Sequence, residues 1–124
     1  MIACDTSSLV AFLEGDQGKD ISAIQTAVVA GELVLPPATF TEVLSNPRTR
    51  TNVAAVIAGL AHLPILADYW LRVADTRANL ISKGLKARLA DALIAQSCID
   101  ADVKLITRDR DFRHFAAHCG LKLA

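Results

Sequence analysis

Short runs of apolar residues alternate along this chain with longer segments in which apolar residues recur every three or four positions. The runs are short enough to form buried strands, and the periodic segments predict helices that bury one face. The predicted strands cover residues 2–4, 32–35, 64–66, 104–107 and 121–123, and the predicted helices cover 9–13, 20–31, 39–46, 48–61, 68–83, 88–100 and 109–115. Strands that alternate with helices predict an α/β fold in which right-handed crossovers build a parallel sheet. Ligands of such sheets collect beyond the carboxyl ends of the strands.

The size and composition of the chain fit one domain over residues 1–124. A chain of 124 residues supports one core, and 52% of the residues are apolar but only 5% aromatic, so the core must consist mainly of Ala, Val, Ile and Leu. Three cysteines without a CxxC pair argue against a disulfide framework. No signal peptide is expected, because no basic segment with an apolar run precedes Asp5, and no run approaches about 18 apolar residues. These features predict a soluble cytoplasmic protein without a membrane segment.

Basic and acidic residues balance, with 13 of each and a formal net charge of zero. This balance argues against a protein that holds nucleic acid through a large excess of positive charge. Local basic clusters remain, and two of them flank acidic residues. The clusters are Arg48 with Arg50, Lys83 with Lys86 and Arg88, and Arg108 with Arg110 and Arg113. Ordinary solvated surface is the alternative interpretation of each cluster.

Four acidic residues, Asp5, Glu42, Asp91 and Asp109, stand where predicted elements begin or end. Singly, each could cap a helix or favour its dipole. Asp91 resists that explanation, because the predicted helix around it is apolar on nearly every side and a buried charge needs a partner or a metal. Several carboxylates without His or Cys in the same motifs favour Mg²⁺ or Mn²⁺ over Zn²⁺. The four acids therefore predict a carboxylate cage for a divalent metal, as in a metal-dependent hydrolase.

Other polar residues give weaker signals. The remaining acids, among them Asp20 and Asp100, are expected to be solvated. His114 and His118 stand four residues apart, but no HExxH glutamate accompanies them, so they are expected at the surface. A haloacid dehalogenase phosphatase would need a second Asp where Ser7 stands, and a Rossmann domain would need a glycine-rich turn after the first strand. The sequence supports neither class.

Read together, four segments of the chain resemble the PIN-domain family, and they look most like the VapC toxins of bacterial toxin-antitoxin pairs. The segments are Ile2-Ala3-Cys4-Asp5-Thr6-Ser7, Thr41-Glu42-Val43, Ala90-Asp91-Ala92-Leu93-Ile94-Ala95 and Leu105-Ile106-Thr107-Arg108-Asp109-Arg110-Asp111-Phe112. The resemblance covers essentially the whole chain, and the acids follow the family's order. It implies a three-layer α/β/α sandwich with a mainly parallel central sheet. It also implies an acidic pocket that binds Mg²⁺ or Mn²⁺ and an endoribonuclease that hydrolyses RNA.

The resemblance also implies roles for individual residues. The catalytic and metal-binding acids would be Asp5, Glu42, Asp91 and Asp109, with Ser7 and Thr107 as supporting hydroxyl groups and Asp111 as the alternative to Asp109. The implied partners are an RNA substrate and a cognate antitoxin protein, and the implied assembly is a homodimer. Apolar helix faces around Phe12, Val53 to Leu60 and Trp70 are candidate contact surfaces, although core packing explains them equally well. The alternative is a noncatalytic PIN-like module that binds protein or RNA, and the presence of all four acids argues against it.

Overall fold

A parallel sheet lies at the centre of the fold. The computed structural model describes the backbone of residues 1–124 and the side chains of residues 1–48 and 53–124, so the side chain of Arg50 lies outside the described residues. In this described backbone the strands are β1 (Ile2–Cys4), β2 (Leu33–Leu35), β3 (Ala61–His62) and β4 (Lys104–Ile106). Their order across the sheet is β3-β2-β1-β4, and every pairing is parallel. Ile2 of β1 is in register with Leu33 on one side and with Lys104 on the other.

Helices connect the strands, and local sequence signals set several of their ends. The helices are α1 (Thr6–Leu13), α2 (Lys19–Ala30), α3 (Pro37–Ser45), α4 (Pro47–Ala58), α5 (Tyr69–Ser82), α6 (Leu89–Ala101) and α7 (Phe112–Cys119). Pro37 and Pro47 occupy the first turn of their helices, where the missing N–H costs no hydrogen bond. Gly31 follows α2 with a φ of 69°, a left-handed conformation that glycine adopts without strain.

The helices cover both faces of the sheet. Side chains alternate along each strand, so successive strand residues enter different cores. On one face α5, α6 and α7 pack against Ala3, Val34 and Leu105. On the other face α1 to α4 pack against Cys4, Leu33, Leu35 and Ile106. The predicted three-layer α/β/α sandwich is confirmed, as is the burial of the helix around Asp91, now α6.

The strand order places a crevice next to β1. From β1 the chain moves outward through β2 to β3, and it later returns to the other side of β1 as β4. The direction of winding therefore changes between β1 and β4, and their carboxyl ends form a switch point of the kind where α/β proteins bind ligands. Asp5 lies immediately beyond β1, and its backbone N–H donates to the carbonyl of Ile106 at 3.1 Å.

Two predicted strands differ from the observed structure. The prediction of a strand at 64–66 is wrong, because the strand is Ala61–His62 and Pro64 has no N–H with which to continue the ladder. The predicted strand 121–123 is reduced to one isolated bridge between Leu105 and Leu123. No helix in the described part of the chain is both long enough and apolar enough to cross a membrane.

Candidate metal centre

Asp5 lies at the floor of the crevice, where its side chain is almost fully buried. As the N-cap of α1, its Oδ1 accepts a hydrogen bond from the backbone N–H of Ser8 at 2.9 Å. Its Oδ2 accepts from Ser7 Oγ at 2.7 Å and from Thr107 Oγ1 at 2.6 Å. Burial raises the pKa of Asp5, and these hydrogen bonds act against that rise. The carboxylate is thus held in a fixed orientation in surroundings where a bound cation would stabilise its charge.

Three more carboxylates converge near the ends of β4 and α6. Asp91, Asp109 and Asp111 each offer an oxygen, and these three oxygens lie within 4.8 Å of one another. The turn that carries two of them is built by hydrogen bonds, because Thr107 Oγ1 accepts from the N–H of Asp109 at 3.0 Å and Asp109 Oδ1 accepts from the N–H of Asp111 at 2.9 Å. Burial raises the pKa of Asp91, and the nearby carboxylates add to this rise. Arg88 opposes this rise, but on balance the ionised form of Asp91 is disfavoured at its position.

Glu42 reaches the same place from α3. Thr6 Oγ1 donates a hydrogen bond to Glu42 Oε1, which connects α1 to α3 at the mouth of the crevice. The resulting cavity has a volume of about 230 Å³ and is lined by Asp5, Thr6, Ser7, Glu42, Arg88, Asp91, Ile94 and Asp109. The structure therefore brings all four predicted acids to one cavity, together with Ser7. Asp111 lies beside this cavity in contact with one of its lining residues, Arg88.

Two cations from the segment before α6 neutralise part of this charge. Arg88 Nε lies 3.4 Å from Asp91 Oδ2, and Arg88 Nη2 lies 2.9 Å from Asp111 Oδ2 and 3.7 Å from Asp109 Oδ2. Lys86 Nζ lies 3.2 Å from Asp111 Oδ2. Hydrogen bonds from Lys86 and Arg88 hold the pKa of Asp111 below its usual value. Sequence reasoning treated these residues only as a basic cluster, although the three-residue spacing between Arg88 and Asp91 is one at which helical side chains meet.

A second ion-pair network joins the elements that carry Asp5 and Asp109. Arg108 Nε donates to Asp20 Oδ2 at 2.7 Å, and Ser8 Oγ donates to the same oxygen at 2.8 Å. These contacts lower the pKa of Asp20 to about 2, with the hydrogen bond from Arg108 as the main cause. The expectation that Asp20 is solvated is wrong, and so is that for Asp100, whose side chain is only 7% exposed and pairs with Arg72 at 2.6 Å. The network fastens the start of α2 to the end of β4 and to α1.

The donor set of the cavity fits a hard divalent cation. Its lining supplies carboxylate and hydroxyl oxygens, and no His or Cys is among the lining residues. Oxygen donors of this kind suit Mg²⁺ or Mn²⁺. Four lining carboxylates against one guanidinium leave an excess of negative charge that a divalent cation would offset. The residues placed to hold such an ion are Asp5, Asp91 and Asp109, with Glu42 at the mouth.

Comparison with known proteins identifies the family. A family model described as PIN domain matches residues 2–118. The chain belongs to the PIN domain family. The predicted family is thereby confirmed, while the roles of its acidic residues stay predictions. No curated protein matches the chain at a significant level.

Solved structures share the fold of this PIN domain at low sequence identity. The structure of VapBC2 from Rickettsia felis bound to a DNA fragment from their promoter contains a chain with a TM-score of 0.78 and 17% identity, over 100% of this chain and 98% of that one. A chain in the structure of FitAB bound to an IR36 DNA fragment has a TM-score of 0.73 and 21% identity, over 100% of this chain and 94% of that one. A chain in the structure of FitAcB from Neisseria gonorrhoeae has a TM-score of 0.70 and 18% identity, over 99% of this chain and 96% of that one. At these identities the comparison establishes a shared fold.

Proposed function

We propose that this PIN domain is a metal-dependent endoribonuclease that uses Mg²⁺ or Mn²⁺ to hydrolyse RNA phosphodiester bonds, and that it is the toxin of a toxin-antitoxin pair. One observation carries the proposal: acids from four separate segments line a single cavity at the switch point of the sheet. Packing like charges together costs free energy, about 4 kcal/mol for two carboxylates ~4 Å apart at an effective dielectric of 20. Such a cluster is expected where a cation is bound in function.

The residues of the cavity would divide the work of hydrolysis between them. A bound divalent metal supplies a Lewis acid and lowers the pKa of a bound water. Asp5 and Asp91 would hold this ion directly, since one is fixed by three hydrogen bonds and the other projects from the rigid first turn of α6. Asp109 would hold it directly or through a water. Glu42 is exposed at the mouth, where its carboxylate can orient the attacking water or act as a further ligand.

The proposed antitoxin partner is supported by the relatives and by one surface of the chain. Two of the similar structures are those of the assemblies VapBC2 and FitAB, and their chains share this fold. An apolar groove of about 290 Å³ adjoins the acidic cavity, shares Glu42 with it and is lined by Ile65, Trp70 and Leu93. Trp70 is 66% exposed, whereas Val53 is buried in the core. We propose that a small antitoxin covers the cavity and that the chain forms a homodimer in the cytoplasm.

The partner proposal has its own test. Co-expression with the product of a small open reading frame immediately upstream should yield a stable complex, and light scattering should give the mass of a dimer for the toxin alone. Trp70→Ser should weaken at least one of these assemblies. A chain that stays monomeric and binds no such product would contradict the assignment to a toxin-antitoxin pair.

The activity is tested by incubating the purified chain with a mixed RNA pool in Mg²⁺, in Mn²⁺ and in EDTA. Asp91→Asn removes a proposed ligand, and Asp75→Asn is the matched control because Asp75 is an exposed acid on α5. Wild type and Asp75→Asn should cut RNA only with metal, and Asp91→Asn should leave it intact. Cleavage by Asp91→Asn at the wild-type rate would sink the proposed site. Binding of RNA without cleavage by the wild type would favour the noncatalytic alternative.

A further inference from the structure

The side chain of Arg88 lies within the acidic cluster but can be displaced from it. Its guanidinium faces Asp91, Asp109 and Asp111, and all of its described partners are carboxylates. Its side chain is 57% exposed and belongs to the N-cap position of α6, where the backbone is not helical. The side chain can therefore rotate toward solvent without disturbing the helix.

Other paired arginines of the described chain are held more firmly. Arg72 donates to the backbone carbonyl of Ala67 at 2.6 Å as well as to its acid, and Arg108 donates to the carbonyl of Gln17 at 3.3 Å. A backbone carbonyl that loses such a donor is not compensated by a metal ion. Among the described residues, the Arg88 side chain donates to no backbone carbonyl, so a cation that binds the carboxylates removes all of its attractive contacts.

The acids that Arg88 contacts include those proposed to hold the metal. A divalent ion between Asp91 and Asp109 would lie close to the guanidinium, and two cations repel strongly at such distances. When Arg88 leaves, Asp111 still has Lys86 as a partner at 3.2 Å. Departure of Arg88 therefore leaves no carboxylate of the cluster unpaired once the metal is bound.

A released guanidinium at the mouth of this cavity is suited to a phosphate. Arginine presents a planar fork of donors that matches phosphate oxygens in two-pronged hydrogen bonds. We propose that Arg88 exchanges between two anionic partners: the cavity carboxylates in the metal-free chain, and a phosphate of the bound RNA once a divalent metal occupies those carboxylates. This inference rests on the proposed function and gives it a substrate-positioning residue. It requires that Arg88 oppose metal binding but assist RNA binding.

Arg110 provides the matched control for a test with two readouts. It lies between Asp109 and Asp111 in the sequence and is exposed, and its guanidinium pairs with no acid among the described side chains. Arg88→Gln and Arg110→Gln therefore remove the same charge from the same neighbourhood, but only the first removes a group seated in the cluster. Urea unfolding of each variant checks that it folds, and Arg88→Lys serves as a second variant that keeps the charge.

The first readout is Mn²⁺ affinity, measured from the electron paramagnetic resonance signal of free Mn²⁺ without RNA. Arg88→Gln should bind Mn²⁺ about tenfold more tightly than wild type, a coupling of ordinary size, while Arg110→Gln should change affinity by less than about twofold. Arg88→Lys should stay near the wild type, because its charge still competes with the metal. Equal effects of Arg88→Gln and Arg110→Gln, or weaker binding in Arg88→Gln, would overturn the proposal.

The second readout is the salt dependence of binding to a mixed-sequence, phosphorothioate-linked single-stranded RNA. Loss of one phosphate contact lowers the slope of log affinity against log salt by roughly 0.7 for single strands. Arg88→Gln should lower the slope by about this amount in Mn²⁺ but not in EDTA, where Arg88 is tied to the acids. An equal loss in both conditions, or none in Mn²⁺, would refute the exchange.

The two readouts separate failure of this inference from failure of the proposed function. If wild type and Asp91→Asn bind Mn²⁺ alike, the cavity is not a metal site and both proposals fall. If Asp91→Asn abolishes Mn²⁺ binding but Arg88→Gln behaves like Arg110→Gln, the metal site stands and only the exchange of Arg88 is wrong.

Discussion

Asp91→Asn should change the stability of the chain in opposite directions without and with metal. The substitution keeps the size of the side chain but removes a charge that is only 15% exposed. Because burial raises the folded-state pKa of Asp91 above its unfolded value, the ionised carboxylate destabilises the metal-free chain at neutral pH. The neutral amide is therefore expected to stabilise the metal-free chain. With metal, the wild type gains a ligand that the variant lacks.

The size of the effect follows from the distances around Asp91. Its oxygen lies within 4.8 Å of that of Asp109, so this pair repels by at least about 3.5 kcal/mol at an effective dielectric of 20, and the more exposed Asp111 adds to the repulsion. Arg88 Nε at 3.4 Å opposes this repulsion, but its side chain is exposed and solvent screens the attraction. Burial and the repulsion from the other acids outweigh the attraction to Arg88, because the pKa of Asp91 is raised on balance, and solvent screening leaves only part of the repulsion. We expect a net gain of about 1 to 2 kcal/mol for Asp91→Asn without metal, or about 4 to 8 °C in Tm.

Thermal and urea unfolding in EDTA and in millimolar Mn²⁺ measure the change in stability without and with metal, and Asp75→Asn is the control. Wild type should gain about 2.7 kcal/mol when Mn²⁺ is at 100 times its Kd, and Asp91→Asn should gain little. The advantage of Asp91→Asn in EDTA should also disappear as the pH falls below about 4, where the wild-type carboxyl is protonated in both states. A variant that is less stable than wild type in EDTA, or equally stabilised by Mn²⁺, would refute this reasoning.

Three further outcomes are expected. Asp20→Asn should lose roughly 1 to 2 kcal/mol of stability at pH 7, after allowance for screening at the partly exposed Arg108, because the folded-state pKa of Asp20 is about 2 against an ordinary 3.8. Urea unfolding should show this deficit shrinking as the pH falls from about 4 to 2. A deficit that stays constant over this range would count against the ion pair. Thr107→Val removes a hydrogen bond to Asp5 and should weaken Mn²⁺ binding about tenfold in a paramagnetic resonance titration, whereas unchanged affinity would show that this contact does not orient the carboxylate. Burial raises the pKa of Cys98 to about 12, so iodoacetamide at pH 8 should label it only after denaturation, as mass spectrometry would reveal, and rapid labelling of the folded chain would contradict its burial.

The architecture and the grouping of the acids could be predicted because both follow from the order of elements. Alternating strands and helices give a parallel sheet, and the carboxyl ends of its strands share one edge, so Asp5 and Asp109 were expected near each other. Asp91 was recognisable as a charge in an otherwise apolar helix. The role of Glu42 could be predicted only from the family resemblance, because nothing in the sequence around it indicates that α3 reaches the cavity.

Contacts between distant side chains could not be predicted from the sequence. Asp20 and Arg108 are 88 residues apart, so nothing local distinguished them from solvated charges. The contacts of Arg88 with the acidic cluster depend on where α6 begins relative to the turn after β4, and only the packed structure determines that position. The difference at 64–66 has another cause, since the apolar run there is typical of a strand but Pro64 lacks the N–H that strand pairing needs.

The chemistry of the cut RNA ends tests the central claim most directly. Attack by a metal-activated water leaves hydroxyl and monophosphate ends, whereas attack by the RNA's own 2′-hydroxyl leaves a 2′,3′-cyclic phosphate. Wild type in Mn²⁺ is predicted to produce only the first kind of end, and both EDTA and Asp91→Asn should abolish the cuts. Cyclic phosphate ends that form equally well in EDTA, or in the Asp91→Asn variant, would contradict metal-dependent hydrolysis at this cavity.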